Sequence, residues 1–463
     1  MDITAERQKR CFEVSDPDQR DPFARDRDRI LYSSAFHRLS GITQIVKAGE
    51  LDIFHTRQQH TYKVAQVGRR LAEFCKAQAE EAGANLLVEP EVVEAACLAH
   101  DLGHPPFGHA AEKELDRLVR GLHTLEPAKD HPDEAAAEGA EGAPQQKPDP
   151  KIYDDDGFEG NAQTFRILTK LAVRYDTEQC HGLDLTRGTL QAVLKYPWLR
   201  DHHVEKKKDK WSAYKSEKDY FGWVVQHSKP DEKSDEAGLM DWADDIAYSV
   251  HDLEDFHRVG VIPWHIILSQ GQEDRLVSGA VDKWFGAPHD APGRMRHALK
   301  RIRELMVGFP AVADEYYDGK RQQRRQLRNL TSIWIGRFIQ SVSLSTDQDP
   351  ARIKFEQEAS DDVRMLKYFA RYYVIGLPAL AAQQFGQRRI IRELFEIFLD
   401  RGVAGKLGLL PSRLRYIWED HNDDKPARLA ADCITSLTEN EAHLLHKRLT
   451  GIESGSVLDP IVR

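Results

Sequence analysis

Apolar residues recur at the i, i+3, i+4 spacing of an amphipathic helix through most of the chain, and the strict alternation of a half-buried strand is scarce. In Glu91 to His100 the side chains of Val92, Val93, Ala96, Cys97 and His100 fall on one face, and Gly103 followed by Pro105-Pro106 ends the run. A second run continues from His60 over 61–72, with Val64, Val67 and Leu71 facing inward. The same period predicts helices over 162–175, 238–258, 294–307, 325–340, 362–373, 387–400 and 427–450. The expected fold is all-α. No repeat of fixed period is present, which argues against a helical solenoid.

Two stretches depart from this pattern. Residues 123–156 are crowded with Pro, Gly, Ala and acidic side chains and bury too little apolar surface to offset chain ordering, so a disordered acidic insertion is expected there. Residues 200–235 mix Lys206-Lys207-Lys208 with Trp211, Tyr214, Tyr220, Phe221 and Trp223, which reads as a folded insertion that covers a site or meets a partner. At 463 residues and 41% hydrophobic content the chain has material for two or three domains and a large core. Its 65 Lys and Arg against 75 Asp and Glu leave a net charge of −10, which rules out a generally basic nucleic-acid coat protein. The basic runs 294–303 and 320–328 read first as solvated helix faces. The N-terminal residues lack the apolar core of a signal peptide. The longest apolar stretch, 372–380, is interrupted by Gly376 and Pro378 and falls short of the roughly 20 residues of a spanning helix. Five scattered cysteines form no CxxC pair, so neither a disulfide framework nor a thiolate zinc site is indicated. A cytoplasmic protein without membrane attachment is expected.

The densest chemistry lies in His100-Asp101-Leu102-Gly103-His104-Pro105-Pro106-Phe107-Gly108-His109-Ala110-Ala111-Glu112, three histidines and two carboxylates in thirteen positions. On a helix, adjacent His100 and Asp101 diverge by about 100°, so they reach one ion from different sides and further ligands must come from elsewhere. His60 and Asp244, each at the head of a helical run, offer such donors, although Asp245 competes with Asp244 and a lone His60 would read as a packing residue. Mixed histidine and carboxylate ligation suits a divalent ion such as Mn, Fe, Ni or Mg better than structural zinc. A zincin is disfavoured because that motif needs Glu after the first histidine and an unbroken helix, where this chain has Asp101, Gly103 and Pro105. Tyr248 and Asp252 follow Asp244 at intervals of four, on one helical face.

Taken together, His60, His100-Asp101 and Asp244 resemble the metal-binding signature of the HD superfamily of phosphohydrolases. More narrowly, the chain is similar to the deoxyguanosinetriphosphate triphosphohydrolase-like family in Phe36-His37-Arg38-Leu39-Ser40-Gly41-Ile42-Thr43-Gln44, His55-Thr56-Arg57, the cluster through Glu112, residues 157–166, Asp184-Leu185-Thr186, residues 243–249 and the tail 429–438. The resemblance implies an HD-domain helical core over 1–122 and 157–260, with a C-terminal helical region, 261–463, packed on it. It implies hydrolysis of dGTP or several dNTPs at the α-phosphorus to deoxynucleoside and triphosphate. One divalent metal ion per site (Mn, Mg, Fe, Ni or Zn) would be held by His60, His100, Asp101 and Asp244. His109 would be the acid facing the leaving 5′ oxygen, Glu112 would orient its ring, and His104 would contact phosphate or share in protonation. Tyr248 would pack on the sugar and leave a 2′ hydroxyl no room, Asp252 and Gln44 would hold the deoxyribose, and Arg57 would meet phosphate or base. The resemblance further implies a homo-oligomer, commonly a hexamer, and admits a nucleotide effector or single-stranded DNA as additional partners. Two alternatives stand beside it: another HD-type nucleotide phosphohydrolase, acting on monophosphates, cyclic dinucleotides or an alarmone, and a nucleotide- or ssDNA-sensing protein of the same fold without turnover. The absence of a Gly-Tyr-Pro motif near the cluster argues against the first, and the intact ligand set against the second.

Overall fold

A computed structural model describes residues 2–12, 18–44, 55–122, 148–174, 182–284, 290–313, 316–410, 412–421 and 423–454. Among these the fold is all-α apart from one antiparallel hairpin, in which Val342–Ser345 pairs with Arg352–Phe355. The helix that carries His60, Arg57–Ala82, starts at a capping box in which Thr56 and Gln59 bond each other's backbone, and it stops at Gly83 in the left-handed conformation. It packs against Pro90–Ala99, which opens on proline and delivers His100 at its end, and against Asp235–Ala247, which carries Asp244. No helix among the described residues is long and apolar enough to cross a membrane.

Among the described residues, two large hydrophobic cores meet at the HD cluster, and a small third cluster is formed by Ala162, Trp211 and Tyr214. The larger draws on Val64, Leu71, Val92, Ala96, Leu102, Phe165, Met240 and Ile246, and extends through Leu299, Trp334, Phe338 and Phe369. The second is built by Phe107, Ala111, Leu115 and Phe158 against Leu394, Phe398, Ile417, Ile434 and Leu445. The C-terminal half thus contributes to both. The helices before and after residues 103–107 belong to different cores, so that short loop is the joint between them.

The observed elements differ from the periodic reading in places. The helix expected over 427–450 is two, Pro426–Thr435 and Glu439–Leu449, because Thr438 and Glu441 form a capping box that starts the second. The helix expected over 238–258 contains a π-helical turn, Tyr248–Asp252, and the one expected over 162–175 runs from Gly160–Arg166 into another, Ile167–Leu171. Of the expected 123–156 insertion, residues 123–147 lie outside the described residues. Residues 148–156 are bonded into the fold, with Asp154 N donating to Val119 O (2.8 Å) and Arg428 paired with Asp154 (2.9 Å). In the 200–235 stretch Trp211 and Tyr214 are fully buried, and Val224 joins the larger core.

Candidate functional site

His60, His100 and Asp101 offer ligand atoms all within 4.8 Å of one another. Asp244 completes the ring, its Oδ1 lying 3.2 Å from His60 Nε2 and 3.7 Å from His100 Nε2. The cause is local folding: His60 sits one turn into a capped helix, and the turn after Ala99 swings Asp101 round to the side of His100, with Asp101 Oδ2 3.4 Å from His100 Nε2. His100 Nδ1 bonds the carbonyl of Cys97 at 2.6 Å, which makes Nδ1 the protonated nitrogen and leaves the lone pair on Nε2. That Nε2 is buried and makes no hydrogen bond. A buried acceptor aimed between two carboxylates and a second imidazole is what a divalent cation needs, so the donor set fits a metal ion.

The electrostatics agree. Burial would raise the carboxyl of Asp101, yet His100 and Arg57 hold it well below the usual range. Asp244 is partly buried and its carboxyl is likewise held well below the usual range, first by Lys195 and then by its bond to His60. Burial lowers the His60 imidazole, which favours the neutral, metal-binding form.

Beside this ring lies a second group, His104, His109 and Glu112. His109 Nδ1 bonds Glu112 Oε2 at 2.8 Å; the ring itself is 72% exposed while Glu112 is buried, so the histidine faces the opening with its partner behind it. Glu112 Oε1 accepts from Gly160 N (3.1 Å) and Lys210 Nζ (3.1 Å). Against its burial, Lys210 and His109 keep this carboxyl ionised far below its ordinary range. His104 is buried, its Nε2 3.6 Å from Asp101 Oδ1, and burial reinforced by the Arg57 charge pushes it down to about 3. The loop comes this close because residue 103 is glycine: a Cβ there would overlap Gly160 O and Thr164 N.

The expected sugar and phosphate contacts are placed with more variety. Gln44 has its buried Oε1 without a partner. Tyr248 and Asp252 bracket the π-helical turn, whose wider winding keeps residues four apart on one side. Asp252 Oδ2 is buried and unpartnered, and burial with neighbouring Asp255 raises the carboxyl well above its usual value. Arg57 donates to Asp101 Oδ2 at 2.7 Å, so it grips a ring carboxylate where the sequence suggested phosphate or base. Behind Asp252, His55 bonds Asp255 and Lys63 Nζ lies 2.8 Å from His55 Nε2.

Two lysines were not foreseen. Lys195 Nζ sits 2.7 Å from Asp241 and 3.1 Å from Asp244, and Lys210 Nζ 2.7 Å from Glu159. Lys210 lies in the basic and aromatic stretch suspected of covering a site; Lys195 follows the helix Arg187–Val193 with no local signal of its own.

This helical fold with a His/Asp ring defines an HD-domain phosphohydrolase. The HD domain model matches residues 57–146, and the phosphohydrolase-associated domain model matches 353–448. Similar over nearly their whole length are proteins called deoxyguanosinetriphosphate triphosphohydrolase-like: one of Streptomyces coelicolor, 34% identical over 460 residues (94% of this chain, 95% of the relative); one of Bifidobacterium longum, 32% identical over 446 (93% and 83%); and one of Corynebacterium glutamicum, 32% identical over 446 (94% and 92%). The chain belongs to the deoxyguanosinetriphosphate triphosphohydrolase-like family.

Proposed function

We propose that this phosphohydrolase is a metal-dependent dNTP triphosphohydrolase, cleaving dGTP or several dNTPs to deoxynucleoside and triphosphate. The observation that carries the reading is the unpartnered His100 Nε2 at the centre of the His60, Asp101 and Asp244 donors, beside a His109–Glu112 pair that faces outward. His60, His100, Asp101 and Asp244 would hold one divalent ion. When bound, such an ion polarises a phosphoryl oxygen and lowers the pKa of a bound water.

The chain's own residues account for the remaining steps. His109 presents Nε2 to solvent while Glu112 holds Nδ1, an orientation suited to giving a proton to a leaving 5′ oxygen. Arg57, Lys195 and Lys210 gather positive charge around the ring and complement a triphosphate. Gln44 and Asp252 each carry a free buried oxygen for a sugar hydroxyl, and the Tyr248 ring would close the space a 2′ hydroxyl needs.

The test is product analysis by anion exchange after incubation with Mn²⁺ and each dNTP. Deoxynucleoside and triphosphate in equal amounts are expected; diphosphate or orthophosphate would defeat the proposal. The reading also carries a homo-oligomer, and a monomer in sedimentation would contradict that part.

A further inference from the structure

The carboxylate that holds the site loop in shape comes from the far end of the chain. Glu439 is the first residue of Glu439–Leu449 and is 6% exposed. Its Oε1 accepts from Thr43 N (2.9 Å) and Phe107 N (3.2 Å), and its Oε2 from Thr43 Oγ1 (2.7 Å). One side chain therefore ties together the residue before Gln44 and the loop that delivers His109.

Phe107 needs holding. Its φ is +70°, a left-handed value that costs a residue with a bulky side chain about 1–3 kcal/mol, and Gly108 follows at +57°. These two residues turn the chain into Gly108–Val119 and so set where His109 points. The Phe107 ring packs edge-on against His443, one turn beyond Glu439, with centroids 5.1 Å apart. From the same corner, Leu437 O accepts from Arg38 Nη1 (3.1 Å), while Arg38 Nη2 donates to Leu102 O (2.8 Å) and His104 O (2.7 Å). The break between the two C-terminal helices at 436–438 is thus where the phosphohydrolase-associated region meets the joint between the cores.

We propose that Glu439 is a positioning residue for hydrolysis, fixing the left-handed turn at Phe107-Gly108 that sets the direction of His109 beside the His60, His100, Asp101 and Asp244 ring. This rests on His109 acting as the acid in the function proposed above. Glu439 bonds none of the four ring ligands, so its effect is on alignment and not on metal retention.

The test compares Glu439→Ala, Glu439→Gln and the double variant Glu439→Ala with Phe107→Gly by steady-state kinetics, bound metal per chain and hydrogen exchange. Glu439→Ala should lower kcat on the order of 10–100-fold, the scale of a small misplacement, with KM changed less than about threefold. Its metal content should equal wild type, and exchange should quicken in 41–44 and 105–110. Glu439→Gln keeps an acceptor oxygen for both N–H groups and should retain most of kcat. Phe107→Gly supplies a residue at ease with positive φ and should recover about half or more of the loss on a logarithmic scale. If the alanine variant does not accumulate, Glu439→Asp, one methylene too short, takes its place. Unchanged kcat and exchange would overturn the proposal, and so would metal and activity falling together with no rescue by glycine or glutamine. A wild type inert toward every dNTP would sink the proposed function, whereas the exchange comparison would still decide whether Glu439 holds the turn.

Discussion

A single hydrogen bond, from His100 Nδ1 to Cys97 O, decides which nitrogen is free for a metal, and the other ring members only complete what it sets up. Replacing His100 or Asp101 by alanine should therefore abolish metal retention and activity together. His109→Ala should keep the ion, since His109 stands outside the ring, and lose at least about 100-fold in kcat, the general-acid contribution. Metal content by elemental analysis separates the two outcomes, and equal metal loss in all three variants would remove His109 from its role. Gly103 is constrained by space alone: Gly103→Ala drives a methyl into the backbone of Gly160 and Thr164, which cannot move aside, and should destabilise by about 3 kcal/mol or more in urea melts. At this scale the sequence was informative about charge and poor about geometry. His60, His100, Asp101 and Asp244 stand out in the sequence only as a joint pattern that resembles the HD signature, and the fold brings these four side chains together. Lys195 does not stand out, because a lysine after a helix looks the same whether it faces solvent or Asp244.

The helices show what periodicity can and cannot reveal. Of Arg57–Ala82 the part from His60 to Ala72 was legible from the apolar stripe of Val64, Val67 and Leu71, and its capped start matters because His60 is in the first turns. Thr56→Ala removes the side-chain acceptor for Gln59 N and should cost about 1 kcal/mol, read as a lowered midpoint in denaturant melts. The division at 436–438 was missed although Thr438 and Glu441 have the spacing of a capping box, because apolar residues on both sides keep helical phase and mask the interruption. The π-helical turn at Tyr248–Asp252 was missed for another reason: one extra residue in a turn leaves residues four apart close enough in direction that the pattern does not register it. It runs from Tyr248 to Asp252 and so sets the spacing of these two side chains from Asp244.

Among the described residues two large cores meet at the loop 103–107, with the candidate metal ligands on one side and the proposed acid on the other. The all-α class followed from the repeat of apolar residues, but that the C-terminal half would enter both cores did not, since contacts between distant segments leave no local trace. Two histidines, His251 partly buried and His257 buried, give the fold a pH dependence. His251 is pushed down to about 3 and His257 to about 4, mainly by burial. Each folded-state value lies below the unfolded value near 6.5, so the unfolded chain binds protons first, and stability present above about pH 6.5 is lost as pH falls toward 4 and 3. The slope should approach about 1.4 kcal/mol per pH unit per histidine, measurable by urea unfolding with chelator between pH 7 and 5; a flat profile would contradict the burial of these rings. The central claim is that water attacks the α-phosphorus and the 5′ oxygen leaves with a proton from His109. Hydrolysis of a dNTP in H₂¹⁸O with Mn²⁺, followed by mass spectrometry of both products, tests it most directly. One ¹⁸O in the triphosphate and none in the deoxynucleoside is the predicted result; ¹⁸O in the nucleoside hydroxyl, or in released diphosphate or orthophosphate, would contradict it.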